Sequence, residues 1–224
     1  MQYERPDLFV DIVLMTMIDG RLQVALYPRE KEPDAGKWCL VGGQIHTNED
    51  ADITAAALRT LRTKLDFEPR YIEQVATEGG ATRDPRRWSA TVVHLALNSP
   101  EVLAELVESR GMKLFDVEDD GAHLPADMAL DHLKLTMMAV ERLRNKAAYS
   151  TIVAHFLPEE FPLNDLRLVY EAVRQKACNA ANFRTKIMKE NVLDELDSTL
   201  FSGGRPASAF RLKQDIAYFA RELY

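Results

Sequence analysis

The pattern of apolar residues changes near Pro158, and this change limits the possible folds more than any other feature of the chain. Before it, β-branched runs of strand length alternate with stretches of helical spacing. After it, two amphipathic helices precede two strands joined by a glycine-containing turn. The sequence therefore predicts two domains: an α+β domain around a mixed sheet over residues 1–157, and a winged helix-turn-helix over residues 158–224.

Composition narrows the class of protein further. A chain of 224 residues with 46% apolar side chains buries a sizeable core. Cys39 and Cys178 lie far apart, which excludes a disulfide framework or a zinc site of Cys-x-x-Cys type. The apolar run near the N-terminus is interrupted by Asp11 and is too short to span a bilayer, so a soluble cytoplasmic protein without a membrane partner is expected.

Strand and helix signals can be placed along the first domain. Asp19-Gly20 is a tight-turn dipeptide between two apolar runs and predicts a β-hairpin. Ser99 is the expected N-cap of a helix that starts at Pro100. The predicted strands are Leu8–Ile18, Leu22–Tyr27, 37–43, Arg70–Ala76, Trp88–Ala96 and Lys113–Val117, and the predicted helices are 51–65, Pro100–Val107 and Leu130–Lys146.

The glycine pair, loop and helix of residues 42–67 resemble the Nudix box. That resemblance implies a Nudix-like mixed β-sheet/α sandwich for the first domain. When the family pattern is aligned on Arg59, the glutamates that hold magnesium in active relatives fall on Thr60, Thr63 and Lys64. Magnesium needs several carboxylate oxygens on one helical face, and an ammonium there repels the ion. We therefore expect no metal, no catalytic residues and no hydrolysis.

Acidic residues suggest two further chemistries, a displaced metal site and a catalytic dyad, and each has a simpler explanation. Glu49, Asp50 and Asp52 lie in a loop about two residues longer than the family pattern and are candidates for a displaced metal site. Acids that precede a helix are more often N-caps and partners of the helix dipole. The same explanation is favoured for Asp131, although Asp131-His132 has the composition of a catalytic dyad.

A short arginine-rich loop is the best candidate for binding a nucleotide. Three guanidinium groups within five positions, followed by a tryptophan, suit a diphosphate and a flat base or ribose. The alternative is a solvated loop with Trp88 in the core. The candidate ligand-binding residues are Arg83, Arg86, Arg87 and Trp88, together with Gly42, Gly43 and Lys37 near the glycine pair.

The second domain carries a basic helical face. No acidic residue occurs from Ala172 to Lys189, while five cations do. Phe183 and Ile187 are one turn apart and are expected to dock on the preceding helix, which leaves cations, Asn and Thr to meet phosphates and base edges. A solvated helical face is the alternative. The candidate DNA-binding residues are Asn182, Arg184, Thr185, Lys186, Lys189, Arg205 in the turn and Arg211 on the returning strand.

The ordered series of segments over nearly the whole chain resembles the Nudix-related transcriptional regulators of NAD metabolism. The resemblance rests on the segments KWCLVGG, YIEQVATEGGATRDPRRWS, ALDHLKLTMMAVERLRNKAAYS, FPLNDLRLVYEAV, NFRTKIMKEN and GGRPA. The resemblance implies a homodimeric repressor of NAD biosynthesis or salvage genes. It would bind a palindromic operator and be released by ADP-ribose or a related nucleotide. The alternatives are an ADP-ribose pyrophosphatase with an accessory winged helix, and a nucleotide sensor whose winged helix binds protein.

The net charge of −7 would argue against a nucleic-acid partner if the charge were evenly distributed along the chain. Residues 162–214 hold nine basic and six acidic side chains, a net +3, and the rest of the chain carries −10. The acidity thus belongs to the first domain. At the end of the chain, QDIAYFARELY has a helix-like apolar stripe formed by Ile216, Phe219, Ala220 and Leu223.

Overall fold

The protein is described by a computed structural model covering residues 5–118 and 121–219. None of the helices in these residues is long and apolar enough to cross a bilayer. The elements are β1 (Asp7–Ile18), β2 (Arg21–Pro28), β3 (Trp38–Cys39), β4 (Val41–Gln44), α1 (Ile53–Leu65), β5 (Tyr71–Gly80), β6 (Ser89–Leu97), α2 (Pro100–Arg110), β7 (Lys113–Asp116), α3 (His132–Ala147), a 3-10 helix (Ile152–Phe156), β8 (Phe161–Pro162), α4 (Leu163–Arg174), α5 (Ala180–Lys189), β9 (Leu193–Ser202) and β10 (Arg205–Leu212).

A mixed sheet forms the first part of the protein. Its main path is β3-β2-β1-β6-β5, with β4 added to β1 and β7 added to β2. β1 runs parallel to β6 and antiparallel to β2 and β4. It is paired on both sides and buried from Val10 to Met17, which explains why its sequence is mostly apolar instead of alternating, with Asp11 and Thr16 as the polar exceptions.

Helices cover both faces of this sheet. Successive side chains of a strand point to opposite faces, and on β1 they enter two different cores. Ile12 and Leu14 pack in the core that contains the buried residues of α1 and α2. Val13 and Met15 pack in the core that contains those of α3. The α+β prediction and the mixed sheet are confirmed.

The winged helix-turn-helix is formed by α4, α5 and a three-stranded sheet in the order β8-β10-β9. Phe183 on α5 is buried and its ring centroid lies 5.6 Å from that of Tyr170 on α4, as the helical spacing predicted. Both rings belong to the apolar core that also includes α3 and Phe210 of β10. The winged helix therefore shares a continuous core with the first part of the chain.

Several local predictions need correction. Residues 37–43 are two short strands: Trp38–Cys39 pairs with β2, and Val41–Gln44 pairs with β1. β5 extends to Gly80, beyond its predicted end, because β6 pairs with it up to that residue. Residues 214–219 are not helical; Tyr218 forms a bridge to Ser150, and Ile216 and Phe219 pack against the core. Ala220 and Leu223, the rest of the expected stripe, lie outside the described residues.

Candidate functional site

A cleft opens beside the glycine pair, between the ends of β1, β2 and β4 and helix α1. It consists of a cavity of about 120 Å³ and an adjoining one of about 500 Å³, which share four lining residues. We call it the cationic cleft, because its walls hold more positive than negative side chains. The shared residues are Tyr27, Arg29, Lys64 and Arg86, and the remaining charged residues that line it are Asp11, Glu30, Lys31, Arg83, Asp84 and Arg110.

The glycine pair allows the backbone of β4 to lie close to its neighbours. A Cβ on Gly42 would lie 2.1 Å from Asp11 Oδ1 and 2.9 Å from the carbonyl oxygen of Val10. A Cβ on Gly43 would lie 2.9 Å from Thr60 Oγ1. Both glycines line the cationic cleft. They are required by packing, in addition to any contact they make with a ligand.

Gly42→Ala should therefore destabilise the protein by about 1–3 kcal/mol, because the added methyl group overpacks a buried site. A fall in the midpoint of urea unfolding at constant slope would measure this loss. Gly80→Ala is the matched control: a Cβ there would meet nothing within 4 Å, so its midpoint should not move. Equal midpoints for Gly42→Ala and the parent protein would contradict the prediction.

Arg83 is held at the floor of the cleft by two carboxylates. Its Nη2 donates to Asp11 Oδ2 at 2.5 Å, and its Nε lies 3.1 Å from Asp131 Oδ2. His132 is also buried here; its Nδ1 accepts a hydrogen bond from the Leu40 amide at 3.0 Å. Burial lowers the pKa of His132 and raises that of Asp131. The guanidinium charge is thus largely committed to ion pairs within the protein.

The other arginines of the loop differ in their placement. Arg86 lines the cleft and makes a bidentate pair with the buried Asp84, from Nε to Oδ1 and from Nη2 to Oδ2; these hydrogen bonds lower the pKa of Asp84. Arg87 is exposed, with its Nε 3.1 Å from Asp7 Oδ2. Trp88 is 49% exposed, which contradicts the core alternative. Arg87 and Trp88 do not line the cleft, and neither does Lys37, whose Nζ pairs with Asp34 at 2.8 Å.

The acids before α1 have partners within the protein. Asp52 is the N-cap and accepts a hydrogen bond from the Ala55 amide at 2.7 Å. Asp50 binds Arg59 at 2.6 and 2.9 Å, and this pairing lowers its pKa to about 2. Within the described residues, no group of three His, Cys, Asp or Glu side chains is arranged to hold a metal ion. The N-cap explanation is confirmed for Asp52.

The N-cap explanation, which holds for Asp52, does not hold in the same way for Asp131. It occupies the N-cap position of α3, but its side chain makes no capping hydrogen bond and faces Arg83 instead. α3 begins at His132, two residues after its predicted start, and the expected capping hydrogen bond of Asp131 is absent. No catalytic dyad results, because the adjacent His132 is directed at a backbone amide and at Asp11, 3.7 Å away.

Helix α1 presents hydroxyls and an ammonium where active relatives have glutamates. Thr60 is buried, and its hydroxyl donates to the Ala56 carbonyl at 2.8 Å. Lys64 lines both cavities; its Nζ donates to the Tyr27 hydroxyl at 3.1 Å and lies 5.4 Å from the centre of that ring. Burial lowers the pKa of Lys64. This face of the helix offers a cation to a ligand in the cleft.

Sequence reasoning did not identify several lining residues of the cleft. Asp11, Tyr27 and Arg29 lie on β1, β2 and the segment after β2, remote in sequence from the glycine pair. Asp11 carried a usable signal, since a charged residue within a continuously buried strand requires a partner. Arg29 carried none, because only the pairing of β2 with β3 brings it to the cleft.

The exposed face of α5 is the second candidate site. Asn179 caps the helix by accepting hydrogen bonds from two backbone amides at 3.0 and 3.1 Å. Phe183 and Ile187 are buried and anchor the helix. The Arg184 guanidinium lies 6.0 Å from the centre of the Phe210 ring, which links α5 to β10. The five predicted residues of this helix are all exposed: Asn182, Arg184, Thr185, Lys186 and Lys189.

The β9–β10 hairpin forms the wing. Gly203 and Gly204 both have positive φ, a conformation that glycine adopts without steric cost, and Arg205 follows them in an exposed position. Ser202 donates to Asp165 Oδ1 at 2.5 Å, which ties the wing to α4. Arg211 is exposed and lies 3.8 Å from Asp194. The structure thus places the predicted cations on one helix and its adjacent hairpin.

Comparison with known proteins connects both sites to one family. Residues 153–212 match the NrtR DNA-binding winged helix domain. The chain is 32% identical over 210 residues to the ADPR responsive transcriptional repressor NtrR of Acinetobacter baylyi, covering 93% of this chain and 83% of that protein.

Solved structures show the same architecture. Shewanella oneidensis NrtR complexed with a 27mer DNA superposes with a TM-score of 0.87 at 35% identity, over 97% of this chain and 99% of that one. The Nudix domain of the same protein complexed with ADP ribose matches with a TM-score of 0.53 at 34% identity, over 63% of this chain and 90% of that one. A Nudix domain followed by a winged helix, the resemblance detected in the sequence, is confirmed, and the chain belongs to the NrtR family of transcriptional regulators.

Proposed function

We propose that this protein represses NAD biosynthesis or salvage genes from the cytoplasm. It binds a palindromic operator as a homodimer and is released when ADP-ribose or a related nucleotide occupies the cationic cleft. The observation that carries the proposal is the exposed basic face of α5, anchored by buried Phe183 and Ile187 in a winged helix of this family. We place the domain boundary at residues 157/158, supported by β8, which already pairs with β10.

The DNA interface follows from the geometry of the winged helix. A recognition helix enters the major groove with its exposed face toward base edges and phosphates. On α5, that face carries Asn182, Arg184, Thr185, Lys186 and Lys189. Arg205 at the tip of the wing is positioned for a minor groove or phosphate, and Arg211 for a phosphate. The acidic first domain repels DNA, so α5 and the wing approach it first.

The effector is assigned to the cationic cleft because a nucleotide diphosphate needs several cations in a partly enclosed space. Gly42, Gly43, Arg83 and Arg86 line the cleft and are proposed to lie against the effector. Arg87, Trp88 and Lys37 remain predictions outside its lining.

Helix α3 gives a physical route between the two sites. Its first turn contacts the cleft, where Asp131 meets Arg83. Just beyond its last turn, the Tyr170 hydroxyl of α4 donates to the Ser150 carbonyl at 2.6 Å. We propose that effector binding shifts α3 and thereby the spacing of the two recognition helices in a dimer. Such a shift lowers operator affinity by the difference in effector binding between the two states.

Titrating the full chain into a labelled palindromic operator tests this function. Arg184→Ala should weaken the complex about tenfold and reduce its salt dependence, since one phosphate or base contact is worth about 1–3 kcal/mol. Addition of ADP-ribose should dissociate the parent complex. Arg62→Ala serves as the control, because Arg62 is an exposed arginine on α1 that pairs with Glu68.

The outcomes separate the three functions that the sequence left open. Absence of a salt-sensitive complex at every effector level would refute the repressor, and unchanged affinity of Arg184→Ala would move the DNA surface elsewhere. Release of AMP from ADP-ribose with magnesium or manganese would instead indicate a pyrophosphatase. We expect no such turnover, because Thr60, Thr63 and Lys64 supply no carboxylate.

A further inference from the structure

Charges around the cationic cleft fall into two groups. Arg83 is neutralised by Asp11 and Asp131, and Arg86 by Asp84. Lys64 and Arg29 are different: in the part of the chain that the structure describes, neither forms an ion pair with a carboxylate. The Lys64 ammonium donates to the phenol of Tyr27, and Arg29 Nε donates to the Pro33 carbonyl at 2.5 Å. Lys31, Arg110 and Glu30 line the larger cavity alone. The positive charge that borders both cavities and that no carboxylate neutralises therefore lies on Lys64 and Arg29.

Lys64 occupies a position on α1 that corresponds to a metal-binding position of the Nudix box. Lys64 falls where an active Nudix box places a magnesium-binding glutamate, so its ammonium lies on the helical face that carries the metal site in hydrolases. A divalent cation there neutralises the phosphates and also activates water. An ammonium supplies positive charge and hydrogen-bond donors, yet it activates no water. The same helical face can thus bind a diphosphate without cleaving it.

We propose that the Lys64 ammonium, together with the Arg29 guanidinium, substitutes for the divalent cation and binds the diphosphate of the effector without any metal. This inference rests on the proposed function of the cleft and assigns its ligand class: nucleotides with a diphosphate bridge, bound independently of magnesium. A diphosphate places one charged phosphoryl group against each of these two cations, whereas a monophosphate concentrates its charge on a single phosphorus, so the diphosphate binds more tightly. Because no bond is broken, the effector is sensed and not consumed.

The structure is consistent with this role on two further points. The Tyr27 hydroxyl accepts a hydrogen bond from the Lys64 ammonium at 3.1 Å, which orients the cation beside the cleft before a ligand arrives. Desolvation by the surrounding protein lowers the pKa of Lys64, a cost that an anionic ligand relieves. Arg29 and Lys64 line both cavities, so a bridging diphosphate can meet both cations.

Isothermal titration calorimetry of ADP-ribose into the full chain tests the proposal. The parent protein should bind equally well in EDTA and in magnesium, and ADP should bind more tightly than AMP. Lys64→Gln should weaken ADP-ribose binding by about tenfold to a hundredfold, the value of a charge-assisted hydrogen bond. Arg62→Gln, two positions earlier on the same helix and exposed, should bind as the parent does. Circular dichroism and thermal unfolding verify that each variant is folded.

The results distinguish failure of this inference from failure of the proposed function. Binding that requires magnesium, or a folded Lys64→Gln variant with the affinity of the parent, overturns the metal-substitution role and leaves the ADP-ribose effector intact. Equal affinities for ADP and AMP overturn the assigned ligand class. If the parent protein binds ADP-ribose neither in EDTA nor in magnesium, the effector assignment itself is wrong.

Discussion

Lys146→Met should lower the free energy of unfolding by about 3–5 kcal/mol, the cost of leaving a buried charge without its partner. Lys146 is 2% exposed near the end of α3; its ammonium pairs with Glu73 on β5 and donates to the Tyr71 hydroxyl at 2.8 Å. Burial opposes ionisation of Glu73, but hydrogen bonds from Lys146 and Tyr71 outweigh it and lower the pKa of the carboxyl. Without the ammonium, the partly exposed Arg142 is the one cationic partner that Glu73 keeps among residues 5–118 and 121–219.

A second lysine on the same helix provides the control. Lys134 also bridges α3 to β5, with its Nζ 2.6 Å from Glu78, but its side chain is 61% exposed. Lys134→Met should change stability by less than about 1 kcal/mol, as expected for an exposed ion pair. Urea unfolding of both variants measures the contrast. Equal losses of unfolding free energy in the two variants would show that burial of Lys146 does not matter. A double variant, Lys146→Met with Glu73→Gln, should recover part of the stability lost by Lys146→Met alone.

Lys146 and its partners Glu73 and Tyr71 also connect the sheet of the first domain to residues 214–219, which follow the wing. The Tyr71 ring stacks on His155 at 4.7 Å, and His155 Nε2 lies 2.6 Å from the Asp215 carbonyl oxygen. The Lys146 ammonium lies 5.5 Å from the centre of the Tyr218 ring. Loss of this cluster should therefore loosen the contact between the sheet and residues 214–219. The response of operator binding to ADP-ribose is the functional readout, since α3 reaches the cationic cleft, the proposed effector site, at its other end.

Arg83→Met should be as costly, about 3–5 kcal/mol, because it leaves two carboxylates at the cleft floor without their cation. Asp11 is 5% exposed and pairs with Arg83 at 2.5 Å, and Asp131 lies 3.1 Å from the same guanidinium. His132 does not replace the charge, since burial lowers its pKa and favours the neutral imidazole. Unfolding by urea, monitored together with ADP-ribose binding, shows whether stability falls with affinity.

The control comes from the same loop. Arg87 is 64% exposed at its side chain and pairs with Asp7 at 3.1 Å, so Arg87→Met should cost less than about 1 kcal/mol. Arg83→Met could instead lose affinity for ADP-ribose while keeping the stability of the parent protein. Arg83 would then act by contacting the ligand, and its ion pairs with Asp11 and Asp131 would not stabilise the fold. That outcome would contradict the structural role derived from its two ion pairs.

The arginine loop illustrates where sequence reasoning reaches its limit. Three guanidinium groups in five positions made Arg83, Arg86 and Arg87 equivalent candidates. The tertiary structure separates them: one is buried between carboxylates, one lines the cleft beside Asp84, and one faces solvent. Local sequence does not contain this distinction, because Asp11 lies 72 residues before Arg83.

Lys64 shows the opposite case. Its place in the degenerate Nudix box already indicated that magnesium chemistry is lost, since charge type at a helical position can be read directly from a pattern. The pattern did not show that the same ammonium lies beside Tyr27 and Arg29 in a cleft. Cleft composition depends on strands that pair across longer separations, as β1 does with β4, where Asp11 lies opposite Gly42.

The sequence by itself determined the two-domain plan, most of the helices and strands to within a few residues, the loss of the metal-binding carboxylates, and the basic face of α5. These features depend on periodicity, turn residues and charge within short windows, which act locally. Only the tertiary structure decided which cations are already neutralised, that β1 runs parallel to β6, and that α3 connects the cleft to the winged helix. Those properties arise from contacts between distant segments, where burial decides whether a charge is paired within the protein or left for a ligand.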